Sequence, residues 1–315
     1  MTLNEPSDHV KTRIAWLYYM EGKTQDEIVR QTGLNKSQVL RILAASRLDG
    51  TVQIRVATNL SKCIELERRL EDHWGFTRAI VIPEPQDQLQ TDSILGAMLG
   101  AYISQNVSSH MTIGLGWGKT LTSALPFIVS PIVEGTRVLS MLGGLTHVNS
   151  INPSEFAWRV AEKLNAECYL LTAPVFAPDP DTRDALIAHS GIKEIFMQAR
   201  SLDMAIVSVG ALAPNSAFVE YGLLSMDEME SLHAAGAVGD VLCHFIDEEG
   251  TVISHPVNDR VVAVNPQHLS AARNLILASG GSHKFKIVRA AIKLLRPKVL
   301  IVNEKVAEQL VHSQP

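Results

Sequence analysis

"MTIGLGWGKTLTSAL", residues 111–125, decides how the rest of the chain is read. The run Met111-Thr-Ile-Gly-Leu reads as a strand. Thr120, Leu121, Ala124 and Leu125 read as the start of a helix, and Gly116, Trp117, Gly118 and Lys119 lie between the two. A glycine-rich turn between strand and helix offers backbone N–H groups and a positive helix end to an anion. A nucleotide-binding P-loop needs a glycine five positions before Gly118-Lys119-Thr120, and that position is Ile113. The loop length sets the ring of N–H groups, so the one-residue shortfall argues against a triphosphate. Two readings remain: a site for a phosphate or other polar ligand, or a plain tight turn.

Outward from this stretch, short apolar runs alternate with helical patterns. The runs start at Ala79, Arg137, Glu167, Met204, Ile276 and Val299, and helices fit at 93–105, 153–164, 181–188, 226–235 and 283–295. Continuous rather than alternating apolar runs suit a parallel sheet covered on both faces. The alternation predicts an α/β fold whose ligands bind at the carboxyl ends of the strands. Several runs end in small residues, among them Gly143-Gly144, Gly210-Ala211 and Gly280-Gly281, and the last leads into a helix bearing Lys284. Each pair alone reads equally as a tight turn; together they suggest one crevice. Lys284 is then a movable charge for a phosphate or a solvated helix lysine, and Asp240 an acceptor for sugar hydroxyls or a turn aspartate.

The first sixty residues follow a different pattern. In "TQDEIVRQTGLNKSQVLRILAASRLDG", residues 24–50, Thr24 with Glu27 and Asn35 with Gln38 form two capping boxes, and Gly33 ends the first helix. Two short helices joined by a glycine turn are a helix-turn-helix. A third helix is expected at 11–20, and a strand at 51–56 as part of a wing. The second helix exposes Lys36, Ser37, Gln38 and Arg41. Gln38 suits adenine, Arg41 suits guanine or phosphate, and Lys36 suits phosphate. A helical hairpin that only contacts protein is the alternative. A helix at 61–74 is expected to link the two parts and could pair with a partner subunit, giving domains at 1–57 and 58–315.

Charge agrees with this division. Lys and Arg number 28 against 33 acids, a net −5, yet residues 1–56 carry eight bases against six acids, +2, leaving −7 for the rest. Between Ile28 and Leu48 there are four bases and no acid. That is a local basic surface on an acidic protein, a distribution suited to nucleic acid. Charged residues make up 19% and hydrophobic ones 46%, which excludes a disordered chain. No apolar run reaches the eighteen residues a membrane span needs, and the polar start shows no secretion signal, so a cytoplasmic protein is expected. Cys63, Cys168 and Cys243 lie far apart without metal spacing and read as buried thiols of a reducing compartment. His244 and His255 read as metal ligands or as strand-end and loop histidines.

Taken together and in order, "LYYMEGKTQDEIVRQTGLNKSQVLRIL", "GLGWGKTL", "GAVGDVLCHFIDEEG" and "ASGGSHKFKIVRAAI" resemble the SorC family of sugar-responsive bacterial transcription regulators. The resemblance covers nearly the whole chain. It implies an N-terminal winged helix-turn-helix domain, a Rossmann-like α/β effector domain similar to sugar-phosphate isomerases, a phosphorylated sugar or polyol as effector, operator DNA as partner, a homotetramer, and no cofactor. Carried over by position, Gly116, Trp117, Gly118, Lys119 and Thr120 match the phosphate loop, and Gly143, Gly144 and Asn152 a second loop of the pocket. Asp240 matches the acid that holds sugar hydroxyls, and Lys284 the phosphate-pairing lysine.

A sugar-phosphate isomerase-type enzyme is the alternative. It would need a general base and often a ring-opening histidine; Asp240 could serve as the base, but no second group is placed by motif. A kinase is opposed by the shortened loop and the lack of a clear magnesium-binding acid. The helix-turn-helix favours a regulator.

Overall fold

The structure, a computed structural model, describes residues 7–48, 58–85, 87, 90–129, 133–146, 152–213 and 216–314. The chain divides into two compact units, 1–58 and 59–315.

In the first unit, α1 (Asp8–Tyr19), α2 (Gln25–Thr32) and α3 (Lys36–Leu48) enclose a small core of Ile14, Leu17, Ile28, Val39, Ile42 and Leu43. Both capping boxes form. Thr24 Oγ1 accepts the Glu27 N–H while Glu27 Oε2 accepts the Thr24 N–H at 2.8 Å. Asn35 Oδ1 accepts the Gln38 N–H at 2.9 Å, and Gln38 Oε1 accepts the Asn35 N–H at 3.0 Å. Gly33 ends α2 at φ +70°, a left-handed conformation that costs a glycine little. The expected wing strand at 51–56 lies outside the described residues.

The second unit runs α4 (Thr58–Trp74), β1 (Arg78–Ile82), α5 (Thr91–Asn106), β2 (Thr112–Leu115), α6 (Lys119–Thr122), β3 (Arg137–Ser140), α7 (Pro153–Leu164), β4 (Glu167–Tyr169), α8 (Pro180–Ala188), α9 (Ser190–Gln198), β5 (Met204–Val207), β6 (Val209–Ala211), α10 (Ala217–Glu220), α11 (Met226–Ala234), β7 (Gly239–Val241), β8 (His244–Ile246), β9 (Asn274–Ala278), α12 (Phe285–Leu295), β10 (Val299–Asn303) and α13 (Glu304–Val311). Seven strands form a parallel sheet in the order β1-β10-β9-β5-β2-β3-β4. Without β1 and renumbered along the chain, that order is the 3-2-1-4-5-6 of the doubly wound dinucleotide-binding fold. The continuous apolar runs are explained by burial on both faces. Ile113, Leu115, Ile206 and Ile276 pack with Leu95 and Leu99 of α5 and Phe156 and Val160 of α7. Ala205, Val207, Leu275 and Leu277 pack with Leu66 and Leu70 of α4, Ile192 of α9 and Val288 of α12.

Edge strand β1 has N–H groups that no neighbouring strand takes on its outer side. Glu71 of α4 accepts the Ala79 N–H at 2.8 Å and Glu67 accepts the Val81 N–H at 2.9 Å, so α4 caps the edge with carboxylates.

A second sheet, antiparallel in the order β6-β7-β8, was not expected from the sequence. Its strands span three residues each, too few for a periodic signal. The helix expected from Thr120 to Leu125 is a correction: α6 is a single turn, followed by a 3-10 turn over Leu125–Phe127. Pro126 sits within that turn and cannot donate the hydrogen bond that would continue an α-helix. Lys284 likewise precedes α12, in a 3-10 turn over Ser282–Lys284.

Candidate functional site

Strand β2 is flanked by β3 and β5, and the chain order runs outward in opposite directions from that junction. This is the switch point at which doubly wound sheets bind ligands. A cleft of about 500 Å³ opens there, within the range of small-molecule sites.

Five segments meet in it. Trp117, Gly118 and Lys119 come from the loop after β2; Ser208, Gly210 and Ala211 from the crossing of β5 into β6; Asp240 from β7; Gly280, Gly281, His283 and Lys284 from the turn after β9; Thr91 and Asp92 from the start of α5. Phe218, Leu223, Leu142 and Leu242 give it an apolar wall. Gly118 lies at φ +149°, a conformation that side-chain-bearing residues rarely take, and a Cβ there would point at Ser208. Trp117 packs its ring against Tyr221, centroids 6.0 Å apart. The Lys119 ammonium lies 3.7 Å from Glu220, but both side chains are well exposed, so the pair is weak.

Asp240 is the buried acid of the cleft, 8% exposed. Its Oδ2 accepts the Cys243 N–H at 2.9 Å. Burial pushes its pKa up to about 7, and hydrogen bonds from the Cys243 and Gly210 backbones and the nearby Lys284 charge oppose that rise. Gly210 faces Asp240 across the β6–β7 pair, and a Cβ on it would stand 2.3 Å from Asp240 Oδ1. Lys284 lies in the same lining, close enough for its charge to act on the Asp240 carboxyl. His283 is held below the usual imidazole pKa, chiefly by burial and then by Lys284, with Asp92 opposing.

Trp117, Gly118, Lys119, Asp240 and Lys284, singled out in the sequence, thus line one cleft. Gly116, Thr120, Gly143, Gly144 and Asn152 do not line it. Thr120 is buried and donates to Asp92 Oδ1 at 2.5 Å, tying the glycine loop to α5. Gly143 lies so close to the Ala173 carbonyl that a Cβ would be 2.6 Å from it, and the Gly144 N–H donates to the same carbonyl at 2.8 Å. Asn152 Nδ2 donates to the Leu145 carbonyl at 2.6 Å. Asp92, Ser208 and His283 join the cleft without a motif to mark the first two. Their only signal is position, at the start of a helix and the end of a strand.

His244 and His255, the two candidate metal ligands of the sequence, both have hydrogen-bond partners within the protein. His244 is buried, its Nδ1 pairs with the Leu242 carbonyl at 3.1 Å, and burial lowers its pKa to about 4. His255 pairs with Ser231 at 3.0 Å. No group of three or more metal-ligating side chains occurs among the described residues. Cys63 and Cys243 are buried, Cys168 is half-buried, and burial raises the thiol pKa of all three.

On the first unit, Lys36, Ser37 and Arg41 are exposed on α3 and Gln38 is half-buried. Lys36 Nζ lies 2.9 Å from Asp26 of α2. Because Gln38 Oε1 serves the Asn35 N–H, bidentate pairing with adenine would exchange that cap for the base. No helix among the described residues is long and apolar enough to cross a membrane.

Residues 58–312 match the family described as "Putative sugar-binding domain". The erythritol catabolism regulatory protein EryD of Brucella abortus (strain 2308) is 28% identical over 309 residues, covering 98% of each chain. The deoxyribonucleoside regulator of Bacillus subtilis (strain 168) is 26% identical over 313 residues, covering 98% of this chain and 99% of its own. The crystal structure of the full-length sorbitol operon regulator SorC from Klebsiella pneumoniae has the same fold, with a TM-score of 0.72 at 23% identity over 97% of this chain and 100% of that one. The match over 58–312, together with relatives aligned end to end, places the chain in the sugar-binding-domain family of SorC-type transcriptional regulators.

Proposed function

We propose that the protein is a cytosolic, homotetrameric regulator of a carbohydrate or polyol catabolic operon, whose effector is a sugar or polyol monophosphate. The observation that carries the reading is the single cleft at the switch point, where a glycine loop, a lysine and a buried carboxyl converge from separate segments. The loop's N–H groups with Lys119 and Lys284 suit one phosphate monoester; Asp240 suits sugar hydroxyls; Trp117 suits the apolar face of a carbon chain or ring. Gly116, Thr120, Gly143, Gly144 and Asn152 support the cleft from outside its lining. The domain boundary is placed at 57/58, and the N-terminal domain reads operator DNA through Lys36, Ser37, Gln38 and Arg41 on α3. Effector binding shifts the equilibrium between DNA-competent and incompetent arrangements. Linkage requires operator DNA to change effector affinity by the same factor.

The test is titration of the full chain with C4–C6 sugar and polyol phosphates, with and without operator DNA. A phosphate that binds at one site per chain and changes operator affinity reciprocally supports the reading. Turnover of the phosphate at enzyme-like rates, or binding without any effect on DNA, overturns it.

A further inference from the structure

Strands β7 and β8 are joined by the two-residue turn Leu242–Cys243, and both residues are left-handed, at φ +49° and +62°. Hairpin turns of this form normally carry Asn-Gly or Asp-Gly, because side chains disfavour positive φ. Two bulky residues persist there because the surroundings hold them. Asp240 Oδ2 accepts the Cys243 N–H at 2.9 Å, and His244 Nδ1 donates to the Leu242 carbonyl at 3.1 Å. Burial keeps His244 neutral, so it carries one ring proton, and the carbonyl partner assigns that proton to Nδ1.

The turn also touches the segment that leads into the glycine loop. Leu242 is buried, and its Cδ2 lies 3.1 Å from where a Cβ on Gly116 would stand. Gly116 is the root of the glycine loop, and its N–H donates to the Ile206 carbonyl at 2.8 Å. The Asp240 carboxyl, the strained turn, Leu242 and the glycine loop are therefore one continuous set of contacts.

We infer that the Leu242–Cys243 turn is a positioning element of the effector site: Asp240 holds the turn in its left-handed form, and Leu242 transmits that form to the phosphate-binding loop. This rests on the reading that the cleft takes a phosphate. Asp240 then acts on the phosphate end in two opposing ways. Its negative charge repels the anion, and its brace on the turn keeps the loop in shape.

The two effects separate by substitution. Asp240→Asn removes the charge and keeps an acceptor oxygen for the Cys243 N–H. Asp240→Ala removes both. Adding Cys243→Gly to Asp240→Ala lets the turn keep φ +62° without its brace. The probe is inorganic phosphate, titrated into the full chain. The expected result is that Asp240→Asn binds phosphate at least as tightly as wild type, that Asp240→Ala binds about 10-fold more weakly, and that Cys243→Gly in the alanine background recovers most of the loss. Phosphate binding in Asp240→Ala equal to or tighter than in Asp240→Asn would overturn the inference, since the carboxyl would then act by charge alone. Amide hydrogen exchange tests the brace without any ligand. Cys243 should exchange slowly in wild type and Asp240→Asn and about 10-fold faster or more in Asp240→Ala; equal rates in all three would overturn it. Phosphate affinity left unchanged by Lys284→Ala would instead count against the effector reading itself.

Discussion

The two units differ in how far apart along the chain their candidate site residues lie. In the first, Lys36, Ser37, Gln38 and Arg41 sit on the opening turns of α3, and each capping box pairs residues three apart. In the second, the cleft draws Asp92, Trp117, Gly210, Asp240 and Lys284 from segments that only the finished sheet brings together. A surface set by local caps can be altered without disturbing what lies elsewhere. A cleft assembled from strand ends couples its parts, so a change at one end is felt at another. That contrast makes specific demands of substitutions.

The largest effect on binding is expected at Arg41. Arg41→Ala should weaken operator binding about 10- to 100-fold, roughly 1–3 kcal/mol, as measured by fluorescence anisotropy. Effector-induced thermal stabilisation should be unchanged in the same variant. Loss of that stabilisation would break the separation between the units.

Asp240→Asn sharpens the account of the cleft. Burial raises the Asp240 pKa from 3.8 to about 7. Between those values the folded chain holds a proton that the unfolded chain has released, so this group's contribution to stability falls as pH rises through the interval and stays low above it. Asparagine is neutral throughout. The variant should therefore lie close to wild type near pH 4 and exceed it at pH 8 by about 3–4 kcal/mol, a rise in melting temperature of about 10 °C. A gain of the same size at both pH values would contradict the buried-carboxylate account.

Smaller effects belong to the first unit. Thr24→Ala removes an N-cap and should cost the helix-turn-helix about 1 kcal/mol, read from its own unfolding transition, while effector affinity stays as it was. Lys36→Ala should weaken DNA binding about equally for all sequences and reduce the salt dependence of operator binding by about one counterion. A change in sequence preference would mean Lys36 reaches a base.

How much was legible in the sequence follows the same division. The caps of α2 and α3 were visible because Thr24, Glu27, Asn35 and Gln38 act on neighbours three residues away. Helix α7 was visible with its bounds because Pro153 suits a first helical position and Phe156, Ala157 and Val160 mark the buried face. The parallel sheet was legible as apolar runs buried on both faces. Strands β6, β7 and β8 were not, because Val209–Ala211 and Gly239–Val241 include glycines and are too short for alternation to register. Helix α9 was not read because it follows α8 at once, with no glycine or proline between them. Of the cleft, the glycine loop, Asp240 and Lys284 could be named, but the partnership of Thr120 with Asp92 depends on folding that brings α5 beside the loop. Asn152, which the family resemblance assigns to a second loop of the pocket, spends its side chain on the Leu145 backbone. Sequence spacing carries no information about such a contact.

The central claim is that one cleft takes a phosphorylated small molecule by means of Lys284 while a separate helix reads DNA. The most direct measurement is the melting temperature of the full chain with C4–C6 sugar and polyol phosphates and their unphosphorylated parents, in wild type, Lys284→Ala and Arg41→Ala. One phosphate should stabilise wild type and Arg41→Ala by several degrees more than its parent does, and that difference should vanish in Lys284→Ala. Equal stabilisation by phosphate and parent, or a phosphate effect undiminished in Lys284→Ala, would contradict the claim.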